Sequence, residues 1–239
     1  MDKEKIYEGK AKILYNANSP DQIIQYFKDD ATAFNNVKKD NITGKGILNN
    51  FISEYLMNIL VKNNINTHFI ERLDARRQLV KRLSIIPLEV IVRNHAAGSI
   101  CKRLALTEGQ DFKHPIIEFC YKEDKLNDPI INDDHITALG ILNSKEIEFI
   151  KQETLKINLI LIDEFKKINI RLIDFKIEFG KDQEGNIFLA DEISPDSCRL
   201  WDLDTNEKMD KDRFRLDLGS LVEYYSEIAN RFSITLPNF

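Results

Sequence analysis

Cysteine is scarce in this chain. Cys101, Cys120 and Cys198 are scattered through 239 residues, and no CxxC pair occurs. An odd count at wide spacing excludes a disulfide framework and a thiolate zinc cluster. It fits a reducing cytoplasm, with each thiol read as a small buried apolar side chain. The four histidines, His68, His95, His114 and His135, show no metal-ligand spacing. Neither GxxxxGK[ST] nor GxGxxG is present, so the two common glycine-rich phosphate loops are not available. Long apolar runs are missing too. Leu159-Ile160-Leu161-Ile162 is far too short to cross a bilayer, and no apolar segment follows the charged start Met1 to Lys5, so neither a membrane partner nor a signal peptide is expected. Basic excess is also absent. A net charge of −5 argues against a nucleic-acid partner bound over the whole surface, and any anionic ligand must be met by local Lys and Arg clusters. No repeat and no Pro- or Gly-rich linker occurs.

What is present reads as a mixed fold. Ile6 to Tyr15 and Ile23 to Phe27 have strand character, and Gly44 to Val61 carries apolar residues at helical spacing. His68 to Ile70 and Gln78 to Leu83 read as extended. Ile85 to Val92 is a continuous apolar strand interrupted by Pro87, which predicts an edge or a bend. Ser144 is a candidate N-cap for a helix to about Lys167. Arg171 to Phe179 alternates, with Ile173, Phe175, Ile177 and Phe179 on one face and Asp174, Lys176 and Glu178 on the other, which predicts a half-buried strand. A polar turn, Lys181 to Asn186, leads to a strand over Ile187 to Ile193, and a last helix is expected from about Leu216 to Phe232. This mixed order predicts an α+β fold. A lobe boundary is expected near Lys81 to Ser84, dividing the chain into residues 1–83 and 84–239.

Several strings carry chemistry. Glu8-Gly9-Lys10-Ala11-Lys12 places two lysines at i and i+2, on one side of an extended chain, beside a glycine that permits close approach of a polyphosphate. The same residues also describe a solvated hairpin turn. Gly44-Lys45-Gly46 opens a helix, whose free N–H groups can receive an anion or simply fray. Glu178 and Asp191 fall about equally far from a turn centred near Glu184-Gly185, so they face each other across a hairpin. Two facing carboxylates call for a cation, and magnesium held by one or two carboxylates plus nucleotide phosphates fits. Asp191 is in phase with Ile187 and Leu189, however, while Glu178 lies on a polar face, so the pairing needs a bulge or a one-residue slip. Arg93-Asn94-His95-Ala96-Ala97-Gly98-Ser99 combines a guanidinium fork, a hydroxyl and room for a phosphate. Asp191 to Asp202 is dense in polar groups yet holds the only Trp, and Asp210-Lys211-Asp212-Arg213-Phe214-Arg215 supplies further basic residues.

Taken in order, these strings resemble the phosphoribosylaminoimidazole-succinocarboxamide synthase (SAICAR synthetase) family. The matching pieces are Tyr7 to Lys12, Pro87 to Asn94 with Ala96 to Ser99, Asp174 to Gly180, Asp191-Glu192 with Ser194 to Asp196 and Arg199 to Asp202, and Asp210 to Arg215. The resemblance implies a two-lobed ATP-grasp-like fold and a reaction in which ATP, carboxyaminoimidazole ribonucleotide (CAIR) and L-aspartate give SAICAR, ADP and phosphate. It implies ATP phosphates at Lys10 and Lys12, adenine along the backbone of Lys81 to Leu83, and magnesium at Glu178 and Asp191. It implies Arg93, Ser99 and Arg199 at the ribonucleotide phosphate, with Asp174 and Asp196 in the substrate site and Asp128 facing the substrate or a second cation. Lys211 and Arg215 would serve aspartate or the transferred phosphoryl group. Asp30 to Asn36 corresponds to a substrate loop, and a homodimer is implied. A small-molecule kinase and a non-catalytic nucleotide-binding domain are the competing readings. The first would release a phosphorylated product, and the second has no need of paired acids.

Overall fold

The computed structural model describes residues 4–33 and 37–239. In chain order the first elements are β1 (Lys5–Glu8), β2 (Lys12–Asn16), β3 (Gln22–Phe27), β4 (Asp30–Ala33), β5 (Lys38–Asn41), α1 (Lys45–Lys62), β6 (Phe69–Arg72) and β7 (Arg77–Lys81). They build a five-stranded antiparallel sheet in the order β1-β2-β3-β7-β6, with β4 and β5 paired separately. Arg82 and Leu83 then lead into β8 (Ser84–His95), α2 (Ser99–Leu104), β9 (Asp111–Tyr121), β10 (Ile130–Ile131), α3 (Asp133–Ala138), α4 (Ser144–Lys167), β11 (Ile170–Lys181), β12 (Ile187–Ala190), β13 (Cys198–Asp202), α5 (Asp212–Arg215) and α6 (Leu221–Arg231). The second sheet runs β10-β9-β8-β11, and the far edge of β11 is shared by β12 and β13. The architecture is α+β.

Residues 66–68 link the two sheets. The His68 N–H donates to the Leu189 carbonyl at 2.8 Å, the Leu189 N–H donates to the Asn66 carbonyl at 2.8 Å, and the Lys81 N–H donates to the His68 carbonyl at 2.7 Å. Helix α1 packs on β3, β6, α4 and α6. Leu48, Ile52 and Leu56 on α1 share one apolar core with Ile157, Leu161 and Phe165 on α4 and Tyr225 and Ile228 on α6.

Several elements differ from the sequence reading, each for a local reason. The cap of α4 is Asn143, one residue before Ser144; its side chain accepts from the Lys145 and Glu146 N–H groups, and Glu146 returns a bond to the Asn143 N–H. Strand β8 is central, not an edge, since β9 and β11 flank it. Pro87 is accommodated where the β8–β11 pairing shifts register. Strand β12 stops at Ala190 because Asp191 turns left-handed at φ 64°. Helix α6 starts at Leu221, since Asp217, Gly219 and Ser220 all take positive φ. Strand β11 is buried on both faces: Asp174 and Glu178 are about as enclosed as the apolar residues between them.

Candidate active site

A cleft of about 1240 Å³ opens between the two sheets. The β1–β2 turn forms one wall, closed by a bond from the Gly9 N–H to the Lys12 carbonyl at 2.8 Å. Leu14, Ile23, Leu83, Ile85 and Pro87 give it an apolar portion. Of the residues singled out above, Lys10, Lys12, Lys81, Leu83, Asp128, Glu178, Asp191, Asp196 and Lys211 line this one cavity. The hairpin register explains how both acids come to line the cleft. Glu178 pairs with Ala190, and the left-handed turn at Asp191 swings the next carboxylate back toward the cleft.

Lysines occupy both carboxylates. Lys122 donates to Glu178 at 2.5 Å, Lys12 pairs with Asp191 and lies 3.0 Å from Glu192, and Lys10 meets Asp124 at 2.8 Å. Among the described residues no group of three or more His, Cys, Asp or Glu side chains is placed to hold a metal. Two hard oxygen donors on one cleft wall nevertheless fit an ion that takes its remaining ligands from phosphate and water. Asp128 also serves its own loop, accepting the Glu123 N–H at 3.0 Å.

The other candidates do not line the cleft. Arg93, Ser99, Asp174, Arg199 and Arg215 form a second cluster. Arg93, almost fully buried, donates to Glu118 at 2.7 Å, to Asp174 at 2.9 Å and to Ser99 at 3.3 Å. Arg199 donates to the same Asp174 at 2.9 Å and to Asp212 at 2.8 Å, and Arg215 reaches Asp212 at 2.6 Å. Asp174 therefore ties two guanidinium groups together. Burial pushes its carboxyl up, and Arg199 and Arg93 pull against that. Gly98 gives this cluster room: a Cβ there would stand 2.5 Å from an Arg199 nitrogen. Asp174, Lys176 and Glu178 alternate onto one face of β11, which joins the cluster to the cleft.

Sequence reasoning missed several participants. His68 lines the cleft fully buried, and burial holds its imidazole down at about 3. Its Nε2 and the Gln25 Nε2, also in the cleft wall, have no partner among the described residues. Lys122 and Glu118 owe their places to long-range packing, and no local signal marks them; Asp212 lies in the Asp210 to Arg215 string, which reads in sequence for its basic residues. The helix start at Gly44 to Gly46 receives an anion from within the chain: Asp29, gripped by Arg76 at 2.7 Å, accepts the Gly46 N–H at 2.9 Å. The thiols of Cys120 and Cys198 are pushed up by burial, which leaves both unreactive. Of the expected substrate loop, Asp30 to Ala33 is β4, and Phe34 to Asn36 lie outside the described residues.

The family model for SAICAR synthetase matches residues 5–232. This chain belongs to the SAICAR synthetase family. A phosphoribosylaminoimidazole-succinocarboxamide synthase of Wolbachia pipientis is 56% identical over 233 residues, covering 97% of each chain. The crystal structure of the synthase from Ehrlichia chaffeensis superposes with a TM-score of 0.96 at 52% identity, covering 98% of this chain and all of that one. A SAICAR synthetase solved in complex with ADP matches with a TM-score of 0.95 at 48% identity, over 99% of this chain and all of that one. Membership makes the chain a ligase of purine biosynthesis.

Proposed function

We propose that this ligase joins L-aspartate to the carboxylate of CAIR through an acyl phosphate made at the expense of ATP. The observation that carries the reading is the single cleft holding Lys10, Lys12, Lys81, Leu83, Glu178, Asp191 and Lys211. A free carboxylate is a poor acyl donor because an oxide would have to leave. Transfer of the γ-phosphoryl group to a carboxylate oxygen breaks the terminal P–O bond of ATP and supplies phosphate as a leaving group. The amine of aspartate then attacks the acyl carbon, and phosphate departs with the transferred oxygen.

In this reading Lys10 and Lys12 bind the polyphosphate and counter its growing charge. Adenine lies against the apolar wall, beside the backbone of Lys81 to Leu83. Glu178 and Asp191 hold magnesium, which when bound neutralises phosphate charge. Arg93, Ser99 and Arg199 receive the ribonucleotide phosphate, and Arg93 and Arg199 come to it already oriented by Asp174. Lys211, with Asp196 behind it, faces the reacting groups, and Arg215 and Asp128 complete the substrate site. An acyl phosphate hydrolyses in water, so the enclosure of the cleft matters as much as its charges. Division at residues 83/84 into two lobes, a homodimer and a cytoplasmic location belong to the same reading; the unpaired thiols support the last.

The test uses CAIR labelled with ¹⁸O in its carboxylate. Label recovered in inorganic phosphate, with ADP release that requires both CAIR and aspartate, is the expected outcome. Phosphate free of label would remove the acyl phosphate, and a stable phosphorylated product formed without aspartate would make the protein a kinase.

A further inference from the structure

Among the described residues Lys45 is the most deeply buried lysine, with no exposed surface. It opens α1, yet its ammonium points inward, 2.7 Å from Asp196 Oδ2. Its direction is fixed from all sides. A Cβ on Gly46 would stand 2.5 Å from the Phe27 carbonyl oxygen, so the first turn of α1 is pressed against the end of β3. On the other side the Phe239 ring lies against Gly44. Asp196 is equally constrained. Its Oδ1 accepts from the Tyr225 hydroxyl at 2.8 Å, and its N–H donates to Ser194 Oγ at 3.2 Å.

Lys211 stands on the cleft side of the same carboxylate, 3.7 Å from Oδ2. Asp196 and Lys211 line the cleft and Lys45 does not. One carboxylate thus lies between two ammonium groups, and the hidden one is nearer by a full ångström. Only the nearer ammonium is within hydrogen-bond reach, so Lys45 holds the Asp196 oxygen directly while Lys211 feels it as longer-range attraction. Lys211 keeps an ammonium only partly compensated and open to the cleft.

We propose that Lys45 is a positioning residue of the ligase: by holding Asp196 from behind, it keeps Lys211 from closing onto that carboxylate and leaves the Lys211 ammonium free for an anionic group of the substrate. This rests on the reading that the cleft is the reaction site. A buried lysine is costly to keep. A methionine of similar length would fill the same space, so packing alone does not account for the charge. Without it, Asp196 has one cation left to pair with among the described residues, the one in the cleft.

Two readouts test this, and only one depends on turnover. In Lys45→Met, kcat is expected to fall at least tenfold while the Kd for ADP, measured by calorimetry, changes less than twofold; Lys45→Arg, which restores the charge, should recover kcat to within threefold of wild type. Independently, reductive methylation of Lys211, followed by peptide mass spectrometry, should slow at least fivefold in Lys45→Met, because methylation requires a free amine. The labelling result stands even if the reaction proves to run outside this cleft, so failure of the functional reading and failure of this one are distinguishable. Should Lys45→Met not fold, Lys45→Met/Asp196→Asn removes the buried pair together, a change that proteins often tolerate; Lys211 should there be methylated at the wild-type rate or faster. A folded Lys45→Met with unchanged kcat and unchanged labelling, or a double variant in which Lys211 stays protected, overturns the proposal.

Discussion

Acid should destabilise this protein through His68 before most of its carboxylates are affected. The imidazole is fully buried, and burial, helped by the nearby Lys12 ammonium, lowers its pKa from 6.5 to about 3. The folded state therefore keeps His68 neutral where the unfolded chain takes up a proton. A depressed folded pKa means stability that is present above the unfolded value and is lost as pH falls toward the folded one. The loss sets in as pH falls through about 6.5 and steepens to about 1.4 kcal/mol per pH unit. Between about pH 7.5 and pH 5.5 it amounts to roughly 1.4 kcal/mol, and any folded pKa below about 4.5 gives nearly the same figure, because the buried ring is neutral at both ends of that interval. Other groups titrate too, so the comparison is with His68→Gln, which keeps an amide in place of the ring and does not titrate. Urea unfolding of both proteins at both pH values gives a difference of differences. Wild type should lose about 1.4 kcal/mol more than the variant on acidification, a shift of roughly 3–6 °C if read as Tm. A gap that stays constant between the two pH values would refute the argument that His68 is held neutral.

Four further outcomes are expected. Glu178→Gln should lower turnover about a hundredfold, the size of losing one strong electrostatic contact in a transition state, with CAIR binding by calorimetry unchanged; undiminished turnover would remove Glu178 from the proposed metal site. Gly98→Ala forces a Cβ onto Arg199 at φ 64° and ψ −130°, a region that only glycine adopts easily, so about 1–3 kcal/mol of stability should be lost and the KM for CAIR should rise, both read from one purified variant. Ile157→Ala empties a site with no exposed surface in the shared core and should cost about 2–5 kcal/mol by urea unfolding. Asn143→Ala removes the cap of α4 and should cost about 1 kcal/mol in the same assay.

The parts of this fold legible in sequence are those that local chemistry decides. The amphipathic run of α4, the alternation of β11 and the turn between β11 and β12 are written in consecutive residues. The errors lie where distant residues decide. The polar face of β11 reads as solvent-facing because acids and a lysine alternate there, yet Asp174 is enclosed by Arg93 and Arg199, the former 81 positions away. Strand β9 draws no expectation because its own sequence, with Pro115 near its centre and Ile116 next to Ile117, does not alternate. The helix start at Gly44 to Gly46 looks like a site for an external anion, and only tertiary contacts bring Asp29 and Asp196 to it. Glu178 and Asp191 are legible as neighbours of one hairpin, but the left-handed turn at Asp191 that brings its carboxylate to the cleft is not.

The placement of the two clusters has its own logic. Asp174 and Glu178 are four residues apart on one face of β11, roughly 13 Å at the rise of a strand. The pairing of β11 with β8 is unbroken from Asp174 to Glu178, and the irregularities fall just outside, between Leu172 and Asp174 on the β13 side and between Glu178 and Gly180 on the β8 side. A one-residue slip inside this stretch would turn Asp174, Lys176 and Glu178 to the opposite face together. On the proposed reading, a ribonucleotide with its phosphate at the arginines lies along this stretch and presents its carboxylate to the cleft at the far end. The strand then serves as a rigid spacer whose length is set by residue count, and this explains why the regular pairing is kept here while the bulges are displaced to either side. Loops joining the same two clusters would leave their separation to fluctuate, and a transfer that depends on near-contact of reacting atoms is sensitive to that.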